Sequence, residues 1–207
     1  MKDVSVLGAG SWGTALAIHL ARLGKSVRLW GRDPVLIGRL REERSNPTYL
    51  PGVTLPPTVS PTDSLERALN GTSCVVWAIP SHATRKALRS VEPLLGVGTP
   101  IVSGTKGFEV GTLQRISQVM EQELGSSRPV AVLSGPCFST ELARGAHTAV
   151  LVASKCPDVA RTIQQEFRAS YLRLYASDDV PGVEVGGAMK NVIAIACGVA
   201  DAKGLGE

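Results

Sequence analysis

Residues Val4–Ala17 read VSVLGAGSWGTALA. The β-branched and aliphatic run Val4–Leu7 predicts a short strand, and the residues after the glycines follow a helical pattern. Strand, glycine-rich turn and helix in this order are typical of the first unit of a dinucleotide-binding fold. Glycine triplets also arise by chance in loops, so the prediction depends on the strand before them and the helix after them.

Each of the three glycines has its own expected role. Gly8 would make the tight turn, Gly10 would let the backbone approach a pyrophosphate, and Gly13 would let the helix lie close to the strand. The backbone amides around Ser11 and Trp12 would then face the phosphates at the positive end of the helix dipole.

Composition limits the classes of protein that remain. The chain has 207 residues, of which 43% are hydrophobic and 19% charged, so it can bury a core and is not a disordered tail. The net charge of +4 is scattered, which predicts no nucleic-acid partner. Four widely spaced cysteines predict free thiols and no metal site. The early first strand and the interrupted apolar runs predict no signal peptide, no integral membrane segment and a cytoplasmic protein.

The rest of the chain alternates between predicted strands and helices, as in an α/β protein. Strands are predicted at Ser26–Trp30, Cys74–Ile79, Pro100–Ser103, Val130–Leu133, Ala149–Ala153 and Tyr171–Tyr175. Helices are predicted at Pro34–Arg44, Ser64–Leu69, Gln114–Leu124, Thr140–Arg144 and Val159–Phe167. The proline-dense residues 46–62 are predicted to form a long loop over the sheet edge or the active site.

Candidate ligand contacts follow two of these strands. Arg32, just after the second strand, can pair with a ribose 2′-phosphate, which favours NADPH over NADH; the alternative is a surface arginine in a turn. Trp30 and the Arg32 plane would flank the adenine. Ser81 and His82 follow a buried strand, where ligands bind, although His82 more often simply begins a helix.

Two further sites follow later strands. Lys106 stands between Gly104 and Gly107 and can reach into the crevice as a fixed positive charge, the alternative being a solvated lysine. Residues 134–139, SGPCFS, form a second glycine turn that opens a helix and is another candidate anion or substrate site.

The segment Val183–Ala200 is helical in period and apolar on nearly every face, which predicts a helix buried in a core or at a domain junction. Burial of the Lys190 ammonium in such a helix costs free energy unless it pairs with another group or takes part in the chemistry, so Lys190 is a candidate general acid/base. The alternative is a lysine that extends to solvent from the helix. Asn191 beside it can hydrogen-bond a hydroxyl or orient the lysine.

The motifs GAGSWGTALA, LWGRDP, NPTYLPG, AIPSH, SGTKGFE, SGPCFSTELARG and KNVIAIACGVAD, in this order, resemble the bacterial NAD(P)-dependent glycerol-3-phosphate dehydrogenases over the whole chain. The resemblance implies a Rossmann-type dinucleotide-binding domain in residues 1–180 and the start of an all-helical C-terminal domain in residues 181–207. It also implies interconversion of dihydroxyacetone phosphate and sn-glycerol 3-phosphate for phospholipid synthesis, and a homodimer.

The resemblance assigns roles to individual residues. Ser11, Trp12, Arg32 and Ser139 would contact the cofactor, with Gly8, Gly10 and Gly13 in the loop around it. Lys106, Gly135 and Cys137 would contact a phosphorylated small-molecule substrate, with Lys106 also near the cofactor, and Lys190 would accept the proton in glycerol-3-phosphate oxidation. Cys137 departs from the usual serine or threonine, which would weaken a hydrogen bond to substrate.

The end of the chain also differs from the family pattern. Ala202 and Lys203 precede Gly204, where the family commonly continues with Gly-Leu-Gly directly after the aspartate. The resemblance places a further catalytic aspartate and an Arg-Asn pair beyond Glu207, and Asp201 lies too early to replace that aspartate. We therefore expect these 207 residues alone to hold a dinucleotide but to turn over poorly or not at all.

Two alternatives remain open at this point. One is a sister oxidoreductase, such as a ketopantoate reductase or a β-hydroxyacid dehydrogenase. The adjacent Lys190 and Asn191 fit the pattern of those families poorly. The other is a non-catalytic dinucleotide-binding or regulatory module.

Overall fold

A computed structural model of the protein describes residues 1–205. The strands are β1 (Asp3–Leu7), β2 (Ser26–Trp30), β3 (Ser45–Asn46), β4 (Leu50–Thr54), β5 (Val59–Thr62), β6 (Cys74–Trp77), β7 (Ile101–Ser103), β8 (Val130–Ser134), β9 (Thr148–Ala153) and β10 (Leu172–Ser177). The helices are α1 (Ser11–Arg22), α2 (Pro34–Glu43), α3 (Leu65–Leu69), α4 (Ser81–Val91), α5 (Ile116–Leu124), α6 (Ser139–Arg144), α7 (Pro157–Phe167) and α8 (Val180–Ala202), with a short 3-10 turn at Glu92–Leu94.

Eight strands form one sheet in the order β10-β9-β8-β7-β6-β1-β2-β5. The strands from β8 to β5 in this order are parallel, so their carboxyl ends share one edge of the sheet. From β1 the chain adds β2 and β5 on one side of β1, and it then crosses to the other side of β1 to form β6. Ligands of such sheets bind at the crevice where the strand order reverses, here between β1 and β6.

The two sheet faces carry separate apolar layers because successive strand residues point to opposite sides. Val4 and Val6 of β1 pack with Leu16 of α1 on one face. Leu7 of β1 and Trp77 of β6 pack on the other face, under α4 and α5. The predicted alternation of strands and helices is therefore confirmed as an α/β sheet covered on both sides.

The last two strands reverse direction. β9 is antiparallel to β8, and β10 is parallel to β9, so both run away from the crevice. The sequence predicted these strands without their direction. The reversal places the start of α8 at the end of the sheet opposite the crevice.

The prediction of a long loop for residues 46–62 is wrong. The segment begins at the last residue of β3 and contains β4, which pairs with β3 in antiparallel fashion, and β5, which adds to β2 at the edge of the main sheet. Pro61 lies within β5, a position that an edge strand tolerates because one of its sides needs no donor. The prolines made the segment look like a loop although it contains a strand. Its expected location at the sheet edge agrees with the position of β5.

Helix α8 is not buried over most of its length among residues 1–205. Its buried residues, Val180, Val183 and Glu184, all lie in its first two turns, whereas Ile193 and Ile195 beyond them are exposed. By length and composition it is also the one described helix that could cross a bilayer, which the sequence analysis did not predict. A single helix of this kind is weak evidence for a membrane span. The periodicity showed an apolar helix but not what covers it.

His19 is a buried structural residue of α1. Its Nε2 lies 2.7 Å from the Phe167 carbonyl oxygen and therefore donates to it, while Nδ1 accepts from the Tyr171 hydroxyl at 2.9 Å. Both ring nitrogens are satisfied in the neutral form. Burial, opposed by the Phe167 carbonyl and assisted by Arg22 and Lys25, lowers the pKa of His19 from 6.5 to about 4.

We expect this histidine to make stability fall in acid. Between pH 6.5 and 4 this histidine is protonated in the unfolded chain but neutral in the folded protein. The contribution of His19 to the free energy of unfolding is therefore complete above pH 6.5 and is lost as the pH falls toward 4. The loss amounts to about 3 kcal/mol of unfolding free energy. Urea unfolding at several pH values would measure it. His19→Gln should flatten this part of the profile, whereas His82→Gln, at an exposed position, should leave it unchanged; equal profiles would contradict the assignment.

Candidate active site

The glycine turn between β1 and α1 has the geometry that its sequence predicts. Gly8 has a φ of +118°, and a Cβ there would lie 2.5 Å from the Ala78 carbonyl oxygen at the end of β6. A Cβ on Gly13 would overlap the Gly8 carbonyl oxygen, so glycine is needed for α1 to approach the turn. A Cβ on Gly10 would meet nothing within 4 Å. The open side of the turn is therefore at Gly10.

Helix α1 presents an uncapped N-terminus at this open side. Gly10 is its N-cap residue and supplies no side-chain hydrogen bond, and the first turn contains no acidic residue. The first backbone N–H groups of a helix lack partners within the helix, and the helix dipole adds positive potential there. A phosphate group fits these donors.

A cleft opens beside α1 at the carboxyl ends of the parallel strands. Its volume is about 270 Å³, and it is lined by Trp12, Ala78, Ile79, Pro80, Ser81, Gly104, Thr105, Lys106 and Ser139. The structure thus brings together Trp12, Ser81, Lys106 and Ser139, which the sequence analysis placed in one crevice. His82 lies on the exposed side of α4, consistent with its alternative interpretation as a helix-start residue.

Trp12 and Lys106 contact each other across the cleft. The Lys106 ammonium lies 5.3 Å from the centre of the Trp12 ring, within the range of a cation–π interaction. Gly104 permits this packing, since a Cβ there would lie 2.7 Å from the indole nitrogen. That indole N–H is buried and has no hydrogen-bond partner within residues 1–205. This donor is therefore buried against Gly104 without a protein acceptor among those residues.

An ion pair with α4 holds the loop that carries Lys106. Arg85 of α4 donates to both carboxylate oxygens of Glu109, at 2.6 and 2.8 Å, and also to Glu123 of α5 at 2.5 Å. Arg85, followed by the Thr112 hydroxyl, lowers the pKa of Glu109 to about 2. The ion pair between Arg85 and Glu109 therefore ties the loop to α4 and is charged on both sides at neutral pH.

Lys190 reaches the same site from α8. Its ammonium lies 4.9 Å from the centre of the Phe138 ring, in the turn after β8. Burial, and then the nearby charge of Lys190, lower the pKa of Lys106. Burial also raises the pKa of the adjacent Cys137 thiol. Two lysines thus converge, and none of the carboxylates described in the structure forms an ion pair with either. Such a pair suits an anionic ligand.

Glu184 fixes the position of α8. Its carboxylate is buried and accepts from Arg115 at 2.8 Å, from the backbone N–H of Ser117 at 2.8 Å and from the Ser117 hydroxyl at 2.6 Å. Farther along, Gly187 lets the helix pass directly against Ser134 at the end of β8. These contacts hold the helix that carries Lys190 against the sheet.

We expect Glu184→Ala to lower the free energy of unfolding by about 3 kcal/mol, because it leaves Arg115 and the Ser117 N–H without their acceptor. The loss should appear in urea unfolding. Asp201→Ala, at an exposed position on the same helix, is the matched control and should change stability little. Equal effects of the two substitutions would show that Glu184 does not anchor α8.

The remaining candidates differ in their surroundings. Arg32 is exposed and has no hydrogen-bond partner in the described part of the chain, which leaves its guanidinium accessible. Asn191 is exposed on α8. Gly135 has a packing reason of its own, since a Cβ there would lie 2.9 Å from the Ala149 carbonyl oxygen. Trp30 donates to the Asp63 carbonyl oxygen at 3.1 Å and packs on the core, so its indole is already engaged.

Sequence reasoning missed Phe138 and Asn46. Phe138 is 61% exposed in the turn after Cys137, and an aromatic residue that follows a glycine turn was the available signal. Asn46 is fully buried behind the first glycine turn, within the segment that was predicted to be a loop.

Comparison with known proteins identifies the family. Residues 3–160 match the family model described as the N-terminus of NAD-dependent glycerol-3-phosphate dehydrogenase, and residues 179–207 match the model of its C-terminus. The chain belongs to the NAD-dependent glycerol-3-phosphate dehydrogenase family. The resemblance stated from the motifs is thereby confirmed, and α8 begins the C-terminal, helical part of this family's fold.

Individual relatives agree with this assignment. The chain is 48% identical to the glycerol-3-phosphate dehydrogenase [NAD(P)+] of Thioalkalivibrio sulfidiphilus over 98% of its own length, and 48% identical to that of Moorella thermoacetica over 100%. The crystal structure of glycerol-3-phosphate dehydrogenase from Coxiella burnetii superposes with a TM-score of 0.91 at 37% identity, covering 100% of this chain and 63% of that one. The chain spans 61% of the length of the two curated relatives.

Proposed function

We propose that the protein interconverts dihydroxyacetone phosphate and sn-glycerol 3-phosphate with NAD(P)H. The observation that carries the proposal is the placement of two lysines at the cleft beside the open N-terminus of α1, Lys106 over the Trp12 ring and Lys190 over the Phe138 ring. Family membership supplies the substrate, because the named relatives are glycerol-3-phosphate dehydrogenases. An alcohol–ketone interconversion needs a proton donor and acceptor beside the cofactor, and this pair of lysines can supply it.

The residues present fit a dinucleotide. The pyrophosphate would lie against the amides of Gly10, Ser11 and Trp12, where no side chain intrudes. Ser139 lines the cleft, and the accessible Arg32 favours NADPH by pairing with a 2′-phosphate. The nicotinamide, when bound, supplies or accepts the hydride.

Lys190 is the proposed proton donor to the ketone oxygen in reduction, and the proton acceptor from the hydroxyl in oxidation. Lys106 would place a second positive charge beside that oxygen and stabilise the negative charge that develops there. Burial, and then the charge of Lys190, lower the pKa of Lys106. Trp12 would hold Lys106 in place and keep water from one side of it.

Gly135, Cys137 and Asn191 complete the proposed substrate contacts. Gly135 and Cys137 lie in the turn after β8, beside Phe138, and Asn191 follows Lys190 on α8. The Cys137 side chain is a weak hydrogen-bond donor, and burial keeps it in the thiol form. We infer that backbone groups of the turn, rather than this side chain, bind the substrate there.

We further propose that residues 1–180 form the dinucleotide domain and that residues 181–207 begin the substrate domain. The exposed apolar face of α8 would then pack inside that helical domain, with no integral membrane segment. A cytoplasmic homodimer that supplies glycerol 3-phosphate for phospholipid synthesis is the arrangement we expect. Sedimentation of the native full-length chain would measure the dimer.

The test is oxidation of NADPH by the native full-length protein with dihydroxyacetone phosphate, followed at 340 nm in parallel with a NADH assay. We expect turnover that requires both substrates, with NADPH preferred. NADPH binding without turnover would refute the proposed reaction. Activity with ketopantoate or a β-hydroxyacid instead would redirect the assignment to a sister oxidoreductase.

A further inference from the structure

Asn46 lies directly behind the glycine turn, inside the protein. Its side chain is fully buried, and its Nδ2 donates to the Ala9 carbonyl oxygen at 3.0 Å and to the Thr14 hydroxyl oxygen at 2.8 Å. Its Oδ1 accepts from the backbone N–H of Tyr49 at 3.2 Å. One amide side chain therefore joins the turn between β3 and β4 to the residue between Gly8 and Gly10.

The bond to Ala9 determines which way the next peptide N–H points. A trans peptide is planar, so the Ala9 C=O and the Gly10 N–H point in opposite directions. The Ala9 oxygen is held toward the interior by Asn46, with the Thr14 hydroxyl at 3.5 Å as a second donor. The Gly10 N–H consequently points to the open side of the turn, and it donates to no carbonyl oxygen within residues 1–205.

We propose that Asn46 is a positioning residue for the dinucleotide, acting through the Ala9–Gly10 peptide. Without the amide, that peptide could rotate so that the carbonyl oxygen faced the crevice, where it would repel a pyrophosphate. The inference rests on the proposed function, because it needs a phosphate-bearing ligand at the α1 N-terminus. It adds a residue that would touch neither cofactor nor substrate.

The test compares variants of the native full-length protein by NADPH fluorescence titration, well below their melting temperatures. Asn46→Leu removes all three hydrogen bonds at similar volume, and we expect the dissociation constant to rise about tenfold or more. Thr14→Val removes the hydroxyl that accepts from Asn46 and donates to the Ala9 carbonyl oxygen, but it keeps the Asn46–Ala9 bond. It should therefore weaken binding by a smaller factor, and it tests the same group if Asn46→Leu does not fold. In turnover assays, KM for NADPH should rise while kcat at saturating cofactor stays within about twofold.

Ser5→Ala is the matched control. Ser5 is equally buried and donates to the Ala68 carbonyl oxygen, so its loss should lower stability without touching the glycine turn. Its NADPH affinity should equal that of the unchanged protein. The role of Asn46 would be overturned if both Asn46→Leu and Thr14→Val bound NADPH as tightly as the unchanged protein. It would also be overturned if Ser5→Ala weakened NADPH binding as much as Asn46→Leu does. Failure of the unchanged protein to bind NADPH would overturn the proposed cofactor and this role together, whereas binding without turnover would refute the reaction alone.

Discussion

Lys190→Met is expected to reduce kcat by about a thousandfold, while NADPH binding stays close to that of the unchanged protein. General acid–base groups contribute roughly 10²–10⁴-fold to rate, and methionine preserves the aliphatic stem without the ammonium. The dinucleotide is proposed to contact α1 and its surroundings, so removal of a group on α8 should spare its affinity. Steady-state oxidation of NADPH followed at 340 nm with saturating substrate, and NADPH titration, would measure the two quantities.

Lys86→Met is the matched control for this experiment. Lys86 is an exposed lysine on α4 and lies outside the cleft, so its replacement should change neither rate nor affinity. Turnover within tenfold of normal in Lys190→Met would show that another group transfers the proton. Loss of NADPH binding in the same variant would show that the lysine holds the cofactor instead.

Gly13→Ala should lower stability and Gly10→Ala should weaken NADPH binding, although both add one methyl group to the same turn. At Gly13 the methyl would overlap the Gly8 carbonyl oxygen, which must force α1 away from the turn. We expect the free energy of unfolding to fall by about 3 kcal/mol. At Gly10 the methyl meets no protein atom, so stability should be unchanged. It would occupy the space proposed for the pyrophosphate, and NADPH should bind about 100-fold more weakly, equivalent to about 2.7 kcal/mol.

Urea unfolding and NADPH titration of both variants separate these effects. Unchanged stability in Gly13→Ala would mean that the turn relaxes around the methyl group. Unchanged affinity in Gly10→Ala would move the pyrophosphate away from the N-terminus of α1.

The sequence predicted the sheet well because its signals are local. Cys74–Trp77 is a continuous apolar run, and Val4–Leu7 and Val130–Ser134 are apolar apart from one serine each, which is typical of buried parallel strands. The glycine turn was predictable for a similar reason, because its three glycines stand close together between a predicted strand and a predicted helix. The close approach of Gly8 to the Ala78 carbonyl oxygen is a distant contact that the sequence did not show.

The features that the sequence did not predict depend on distant contacts. The strand Val59–Thr62 pairs with β2 despite Pro61, since an edge position tolerates a residue without an N–H. The antiparallel direction of β9 leaves no mark in its composition. Lys106 was predicted to reach into the crevice, but its pKa is lowered by burial and then by a lysine 84 positions later in the chain, and both depend on distant contacts.

The reversal at β9 has a geometric consequence for the reaction centre. Because β9 and β10 run away from the crevice, α8 must travel back along β8 to deliver Lys190, and ten residues of helix cover about 15 Å. The helix therefore sets the distance between the buried anchor at Glu184 and Lys190, which follows it by six residues. Each residue of an α-helix turns about 100°, so a single insertion between these two positions would rotate the lysine out of the crevice while every side chain remained present.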